Sequence, residues 1–343
     1  MTGETGSALP WDPLEMAAAA RRKLTAGAAT YFETTAQFPP THHNEAAWAK
    51  WRFVPRVARD VASVSTTIDL FGATIAAPIL LAPCAFAGHA HPGGELAVAA
   101  AAVTTATTYV VASTATIAPD EVARAAPGRC WLQCYVPHDE QQLAPTIAGA
   151  ADAGFAAVVV TLDAPVGSLR RDGYVPDRRD VDPLVRARQR PSPLNPSVTW
   201  STIERIVGLT SLPVLVKGLL HPDDARAAHE HGARGVIVSN HGERQLDGVV
   251  PTAVVLETIA SAASGLVLVD GGIRTGRDVL RALCLGAHAV LIGRPYLWAL
   301  AIAGQAGVEE LLVRLQLEFE NALALTGCSS AGEADRGLLR YVA

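Results

Sequence analysis

Short apolar runs rich in β-branched residues recur along most of the chain and predict strands that are buried on both faces. There are eight such runs: Pro78–Pro83, Thr108–Ser113, Cys130–Tyr135, Ala157–Asp163, Pro213–Lys217, Gly235–Asn240, Leu266–Asp270 and Ala289–Arg294. Stretches with helical periodicity lie between them, at Glu95–Thr105, Pro119–Ala126, Gln141–Ala153, Pro222–Gly232, Thr252–Ala263 and Gly276–Gly286. This alternation is typical of a parallel α/β fold.

The number of units distinguishes two parallel architectures. Eight strand–helix units predict a (β/α)8 TIM barrel. A doubly wound sheet is the alternative, and it is disfavoured because no early strand is followed by GxGxxG and a helix. We therefore predict a single domain over residues 1–343, with an N-terminal extension over 1–77, the barrel over 78–300 and a C-terminal helical segment over 301–343.

Two segments outside the repeat have their own patterns. The extension predicts helices at Leu14–Ala26 and Glu45–Trp51 and a hairpin around Thr66–Thr74. Residues 171–198 are rich in Arg, Asp and Pro and follow the fourth strand. Such a long loop is either a mobile lid over the barrel mouth or a disordered surface insert, and composition leaves both open.

Composition narrows the class of protein. Hydrophobic residues make up 50% of the 343 residues, which excludes global disorder. A net charge of −5 argues against general nucleic-acid binding. Five scattered cysteines do not form a disulfide framework and favour a reducing, cytoplasmic location. The N-terminus lacks a signal pattern, and polar residues and Pro295 interrupt the apolar stretch Leu283–Val308, so we expect no membrane span.

Polar residues follow every predicted strand, at the end where this fold places its catalytic groups. The sharpest case is Lys217, the last residue of an apolar strand, because lysine is almost never buried without a charged partner. A functional lysine there faces an anionic cofactor or forms a Schiff base, and the alternative is a structural ion pair. The polar ends of the other strands favour the functional interpretation.

The last two strands are followed by glycine-rich loops. DGGIRTG (270–276) leads into a helix and GRP (293–295) ends the eighth strand. In such barrels these loops form the usual phosphate site, where glycines expose backbone N–H groups and Arg274 and Arg294 add charge. Each cluster alone is also explained by a turn. Together they predict a phosphorylated cofactor.

A histidine and an arginine come directly after the sixth strand. His241 is a candidate base and Arg244 a candidate carboxylate clamp, whereas the alternative is a histidine that caps a turn. Other histidine pairs lack a third ligand, and HExxH is absent, so no metal is predicted. Cys130 and Cys134 lie on a core strand, where packing is the expected role.

Four segments together resemble one family. They are SNHGERQLDG (239–248), VLVDGGIRTGRDVLRALCLGAHAVLIGRP (267–295), LLAPCAFAGHAHPGGE (80–95) and WLQCY (131–135). The chain resembles the FMN-dependent α-hydroxy-acid oxidase and dehydrogenase family, to which glycolate oxidase, lactate oxidase, mandelate dehydrogenase and 4-hydroxymandelate oxidase belong. The resemblance runs from about residue 52 to residue 327.

This resemblance implies FMN at the barrel mouth and assigns roles to residues. Residues expected around the flavin are Pro83, Cys84, Ala85, Ser113, Gln133, Thr161, Lys217 and Ser239. Residues expected at the ribityl phosphate are Asp270, Gly271, Gly272, Arg274, Gly293 and Arg294. His241 is then the base and Asp163 stabilises its charged form. The substrate is expected to contact Tyr31, Tyr135, Arg170, His241 and Arg244.

The resemblance also implies oxidation of an (S)-2-hydroxy acid, with O2 or another electron acceptor, by a homotetramer. Thr114 replaces a bulky aromatic residue, and this indicates a substrate larger than glycolate, either mandelate-like or an intermediate of secondary metabolism. Glu243 replaces a small residue and places an anion beside the site, with an expected effect on substrate choice. Open alternatives are oxidative decarboxylation, oxidation of a peptide- or carrier-bound hydroxyl group, a non-catalytic flavin-binding barrel and a Schiff-base aldolase.

Overall fold

The computed structural model describes residues 9–33, 35, 42–139, 142–167, 194–246 and 248–343. The N-terminal extension contains α1 (Pro13–Lys23), α2 (Ala26–Glu33), α3 (His43–Ala49), β1 (Trp51–Phe53), β2 (Ile68–Leu70) and β3 (Ala73–Ile75). The barrel strands are β4 (Ile79–Leu81), β5 (Tyr109–Ala112), β6 (Cys130–Cys134), β7 (Val158–Thr161), β8 (Val214–Leu219), β9 (Gly235–Val238), β10 (Leu266–Val269) and β11 (Ala289–Ile292).

Helices alternate with these strands. They are α4 (Gly94–Thr104), α5 (Pro119–Ala125), α6 (Leu143–Ala148), α7 (Trp200–Val207), α8 (Pro222–Glu230), α9 (Thr252–Ala262), α10 (Gly276–Cys284) and α11 (Arg294–Thr326), and β12 (Leu339–Tyr341) ends the chain. All strand pairs of the barrel are parallel, and β11 pairs with β4, so the sheet closes. Closure confirms the eight predicted strands and the TIM barrel, and it excludes the doubly wound sheet.

Alternate strand residues form two separate hydrophobic clusters, as the period of a β-strand requires. The barrel interior contains Leu80, Val110, Trp131, Val159, Leu215, Ile237, Leu268 and Leu291. Leu70 and Ile75 of the β2–β3 hairpin belong to the same cluster. Because the hairpin lies against the start of β6, with the Phe71 and Trp131 ring centroids 5.6 Å apart, it covers the amino-terminal end of the barrel. The carboxyl-terminal end of the barrel is therefore the end at which an active site can form.

The extension differs from the prediction in two places. The helix predicted over Leu14–Ala26 ends at Lys23, because Leu24 is extended (φ −77°, ψ 150°), and α2 is a separate helix that periodicity did not reveal. The helix predicted over Glu45–Trp51 is α3, which ends at Ala49. Trp51 begins β1 instead, since β1 pairs with the distant strand β12. The predicted hairpin is confirmed.

The C-terminal part also differs from the prediction. Helix α11 begins within the segment assigned to the barrel, and β12 is a strand in a segment predicted to be helical. By length and apolar content alone, α11 is the one described helix that can cross a membrane. However, 61% of its most apolar window is buried inside the protein, and its backbone is non-helical at Ala303 and Gly304. A helix in the core of a folded protein meets the same criteria of length and hydropathy, so these criteria alone do not identify a membrane span.

Candidate active site

The carboxyl ends of the barrel strands and helix α2 enclose a cavity of about 280 Å³. Sixteen of the residues singled out from the sequence line it: Tyr31, Pro83, Cys84, Ala85, Thr114, Gln133, Tyr135, Lys217, His241, Arg244, Asp270, Gly271, Gly272, Arg274, Gly293 and Arg294. Asp163, Ser113, Thr161 and Ser239 do not line the cavity but bond to residues that do. Arg170 and most of the predicted lid lie outside the described residues.

His241 and Asp163 form the central pair. His241 Nδ1 lies 2.7 Å from Asp163 Oδ1, and since a carboxylate only accepts, Nδ1 carries a proton; in the neutral ring, Nε2 then has the lone pair that a base needs. Burial alone raises the pKa of the Asp163 carboxyl, but the Lys217 charge and the His241 hydrogen bond outweigh it, and the pKa lies below its usual value. The pair is thus a carboxylate that orients a basic imidazole.

Gly218 is what allows Asp163 to sit there. It interrupts the regular pairing of β8 at φ +107°, a conformation that favours glycine. A Cβ on Gly218 would lie 2.6 Å from Asp163 Cβ, which is far inside contact distance. The sequence offers only the Lys-Gly pair as a signal of this close approach.

Lys217 has a charged partner inside the barrel mouth. Its Nζ lies 3.2 Å from Asp270 Oδ2 and donates to Ser239 Oγ at 2.8 Å. Burial lowers the pKa of Lys217, yet Asp270 and Asp163 raise it by more, so the ammonium group stays charged. The structural and the functional interpretations of this lysine therefore both apply, because the ion pair presents a fixed cation to the cavity.

Gln133 links the ends of three strands. Its Nε2 donates to Thr161 Oγ1 at 3.0 Å, and its Oε1 accepts from the Ser113 backbone N–H at 3.2 Å. Thr161 and Ser113 therefore orient Gln133, and among the three only Gln133 lines the cavity.

Three arginines converge on one side of the cavity. Arg244 donates to Tyr31 O at 2.8 Å, and Arg294 donates to Gly242 O at 2.9 Å. Burial and the charges of Arg244 and Arg274 lower the pKa of Arg294 to about 10. Mutual repulsion of this kind identifies a place where an anion is stabilised.

Arg274 lines the cavity and also has partners within the protein. Its Nη2 lies 2.5 Å from Glu45 Oε1, and its guanidinium group lies over the Trp298 ring. Gly272 is also needed for packing, since a Cβ there would lie 2.7 Å from Asn44 of α3. Helix α3 therefore contributes to this loop, which no local sequence pattern indicated.

Glu243 does not face the cavity, contrary to the expectation that it acts on substrate choice. Its carboxylate accepts a hydrogen bond from the Asn44 backbone N–H at the start of α3. Burial raises the pKa of this carboxyl, and Glu45 raises it further. His241, Gly242 and Glu243 all have positive φ, at 56°, 63° and 63°. A turn of this shape sends His241 towards Asp163 and Glu243 towards α3.

The cavity suits an anionic ligand with hydroxyl groups. Asp270 Oδ1 is buried and has no hydrogen-bond partner among the described residues, so it can accept from a ligand hydroxyl group. The arginines supply charge for a phosphate, and the Lys217–Asp270 ion pair adds a fixed cation to the cavity wall. No group of three or more His, Cys, Asp or Glu residues able to hold a metal is found within the described ranges.

Sequence reasoning missed several contributors to the cavity. Phe32, Phe86, Gly242, Gln245, Ile273 and Leu297 also line it. Beneath it, the side-chain amides of Asn44 and Asn240 bond to each other in both directions at 3.0 Å. The turn after β9 is thus tied to the extension by a contact across 196 positions of sequence.

Known proteins are similar to this chain in both sequence and fold. A family model described as FMN-dependent dehydrogenase matches residues 20–341. The 4-hydroxymandelate oxidase of Amycolatopsis orientalis is 42% identical over 85% of this chain and 87% of that protein. The glycolate oxidase of Spinacia oleracea is 37% identical over 94% of this chain and 93% of that protein. The crystal structure of mandelate oxidase matches with a TM-score of 0.88 at 39% identity, over 96% of this chain and 97% of that chain.

Proposed function

The chain belongs to the family of FMN-dependent dehydrogenases, and from this premise we propose that it oxidises an (S)-2-hydroxy acid to the 2-oxo acid. One observation carries the proposal: His241 and Arg244 border the same cavity, while the Asp163 carboxylate holds His241 Nδ1 at 2.7 Å. A substrate in this cavity could contact both His241, as the base, and Arg244, as the group that binds its carboxylate.

The residues present fit FMN. Arg274, Arg294 and the Gly271–Gly272 turn would hold the phosphate, and Asp270 Oδ1 would accept from the ribityl chain. Lys217 would lie at the ring, where its charge favours a gain of electrons. When bound, FMN supplies the two-electron acceptor for the reaction.

The protein's own residues bind the acid and move its proton. Arg244 lies over the Tyr31 ring, and both border the cavity, so they would bind the substrate carboxylate. Tyr135 would face the substrate hydroxyl group. His241 Nε2 takes a proton from the substrate, and the imidazolium so formed is stabilised by the Asp163 carboxylate.

The substrate we propose has an aryl group, as in mandelate. Thr114 leaves space at the cavity wall, and Phe86 packs edge-on against Tyr31 with centroids 5.6 Å apart. An aromatic ring packs well against such edges. The relatives named for 4-hydroxymandelate and mandelate support the same class.

We further propose O2 as the electron acceptor, a cytoplasmic homotetramer and a place in secondary metabolism. All five cysteines are free thiols, which supports a reducing compartment. The family resemblance supports the tetramer, and the larger substrate that Thr114 indicates supports the metabolic setting.

The decisive experiment is anaerobic titration of the yellow protein with glycolate, lactate, mandelate and 4-hydroxymandelate, in both hands where chiral. We expect (S)-mandelate-like acids to bleach the flavin band fastest. His241→Gln should retain FMN and lose most of this bleaching, and full bleaching by this variant would refute the base assignment. In air, a 2-oxo acid with peroxide supports simple oxidation, whereas a product one carbon shorter indicates oxidative decarboxylation. A flavin that no acid bleaches would refute the proposal and favour a tethered substrate.

A further inference from the structure

The loops that follow the first two barrel strands form one wall of the cavity. Residues 83–86 and Thr114 line it, and Phe86 N donates to Thr114 O at 3.3 Å. The only regular element in the first loop is one 3-10 turn at Ala87–His89. Something other than secondary structure must hold the two loops in register.

The side chain that connects them is Glu95, in the first turn of α4. It is fully buried and accepts from the backbone N–H groups of Ala87 (3.0 Å), Thr116 (2.8 Å) and Ile117 (3.3 Å), and from the Thr116 hydroxyl group. A buried carboxylate is tolerated only when it is fully hydrogen-bonded. Here every donor belongs to one of the two wall loops.

Thr116 strengthens the connection. Its Oγ1 accepts from Gly88 N at 3.0 Å while its proton goes to Glu95. A Cβ on Gly88 would lie 2.5 Å from this oxygen, so the loops are already in contact. The carboxylate and the hydroxyl group thus act as one unit.

The backbone conformation of Phe86 depends on the Glu95 carboxylate and the Thr116 hydroxyl group. Its φ of +60° is unfavourable for a residue with a side chain. The next N–H, that of Ala87, is held by Glu95, and this bond fixes the peptide that follows Phe86. The Phe86 ring is consequently held against Tyr31 on one side and His89 on the other.

We propose that Glu95 is a positioning residue that sets the cavity wall of Phe86 and Thr114 to receive the aryl group of the substrate. This inference rests on the proposed function. Glu95 does not line the cavity. It acts through the backbone of the two loops and therefore determines specificity without touching the substrate.

The test is Glu95→Gln in the FMN-loaded protein, with calorimetric binding of phenylacetate and acetate, neither of which can be oxidised as a 2-hydroxy acid. Glutamine replaces one carboxylate oxygen by an NH2 group. An NH2 group cannot accept the hydrogen bond from the Ile117 N–H, so two donors would face each other there. We expect the dissociation constant of phenylacetate to rise about tenfold and that of acetate less than about twofold. Thr116→Val should have the same effect, and the double variant should add little to it.

A matched control separates positioning from loss of stability. Thr326→Val removes a buried hydroxyl group that bonds Ala322 O at 2.8 Å on α11, away from the cavity. It should lower stability and leave the phenylacetate-to-acetate ratio unchanged.

Each outcome bears on a different claim. Equal loss of both ligands in Glu95→Gln, or no loss, overturns the inference and leaves the proposed function intact. Wild-type protein that binds acetate but not phenylacetate also overturns the inference alone. Wild-type protein that binds neither ligand and bleaches with no hydroxy acid refutes both. If Glu95→Gln does not fold, Thr116→Val decides, because it retains the carboxylate.

Discussion

Gly218→Ala tests how much the His241–Asp163 pair depends on a close backbone contact. The added Cβ would lie 2.6 Å from Asp163 Cβ and Cγ and 2.8 Å from its backbone N. Carbon atoms pack at about 3.5–4.0 Å, so Asp163 has to move by about 1 Å. A displacement of this size away from His241 lengthens the 2.7 Å bond to Nδ1 to about 3.7 Å, beyond hydrogen-bond distance.

Two costs lower the stability of this variant, and a third slows the reaction. A side chain at positive φ costs about 1–2 kcal/mol, and overpacking costs about 1–3 kcal/mol. We therefore expect the free energy of unfolding to fall by about 2–5 kcal/mol, the sum of these two costs. Loss of a charged hydrogen bond of about 1.5–3 kcal/mol should slow flavin reduction by about 10- to 100-fold.

Gly128→Ala is the matched control, because Gly128 has φ +73° and no atom within 4 Å of its would-be Cβ. It should show the backbone cost alone, about 1–2 kcal/mol, with unchanged flavin reduction. The assays are urea unfolding, FMN content and anaerobic stopped-flow bleaching by the best acid. If Gly218→Ala reduces flavin within twofold of Gly128→Ala, the contact does not position Asp163 and the reasoning is refuted.

Three further changes address other parts of the site. Thr114→Trp should fill the cavity wall and raise KM for mandelate by about tenfold while FMN stays bound, because a ring no longer fits; an unchanged KM contradicts the aryl assignment. Glu243→Gln should raise the melting temperature at pH 8 but not at pH 4. Burial and Glu45 raise the pKa of Glu243, so its ionisation lowers stability as pH rises above the usual value; an equal gain at both pH values contradicts this. Lys217→Met should cost about 3–5 kcal/mol in urea unfolding because Asp270 loses its buried partner, and a cost below about 1 kcal/mol contradicts the ion pair.

The barrel could be predicted from the sequence because each of its strands has a local sequence pattern. A strand buried on both faces must be apolar throughout, so Val158–Thr161 and Leu266–Val269 were visible as short β-branched runs. Parallel strands bring their carboxyl ends to one edge, and the polar residues that follow them therefore meet in one place. For this reason the sequence alone predicts that Lys217, His241 and Arg294 lie at one site.

What the sequence could not determine depends on contacts between distant segments. The pairing of Trp51 with Tyr341 made a strand where a helix was expected, and the extended Leu24 ended α1 before a second helix, α2, that periodicity did not reveal. The orientation of Glu243 towards α3 was decided by the positive φ of the turn. The role of Glu95 likewise appears only when two loops fold onto one carboxylate. Local composition determines which elements form and where chemistry gathers, whereas tertiary packing decides which side chains face the ligand and which hold the others in place.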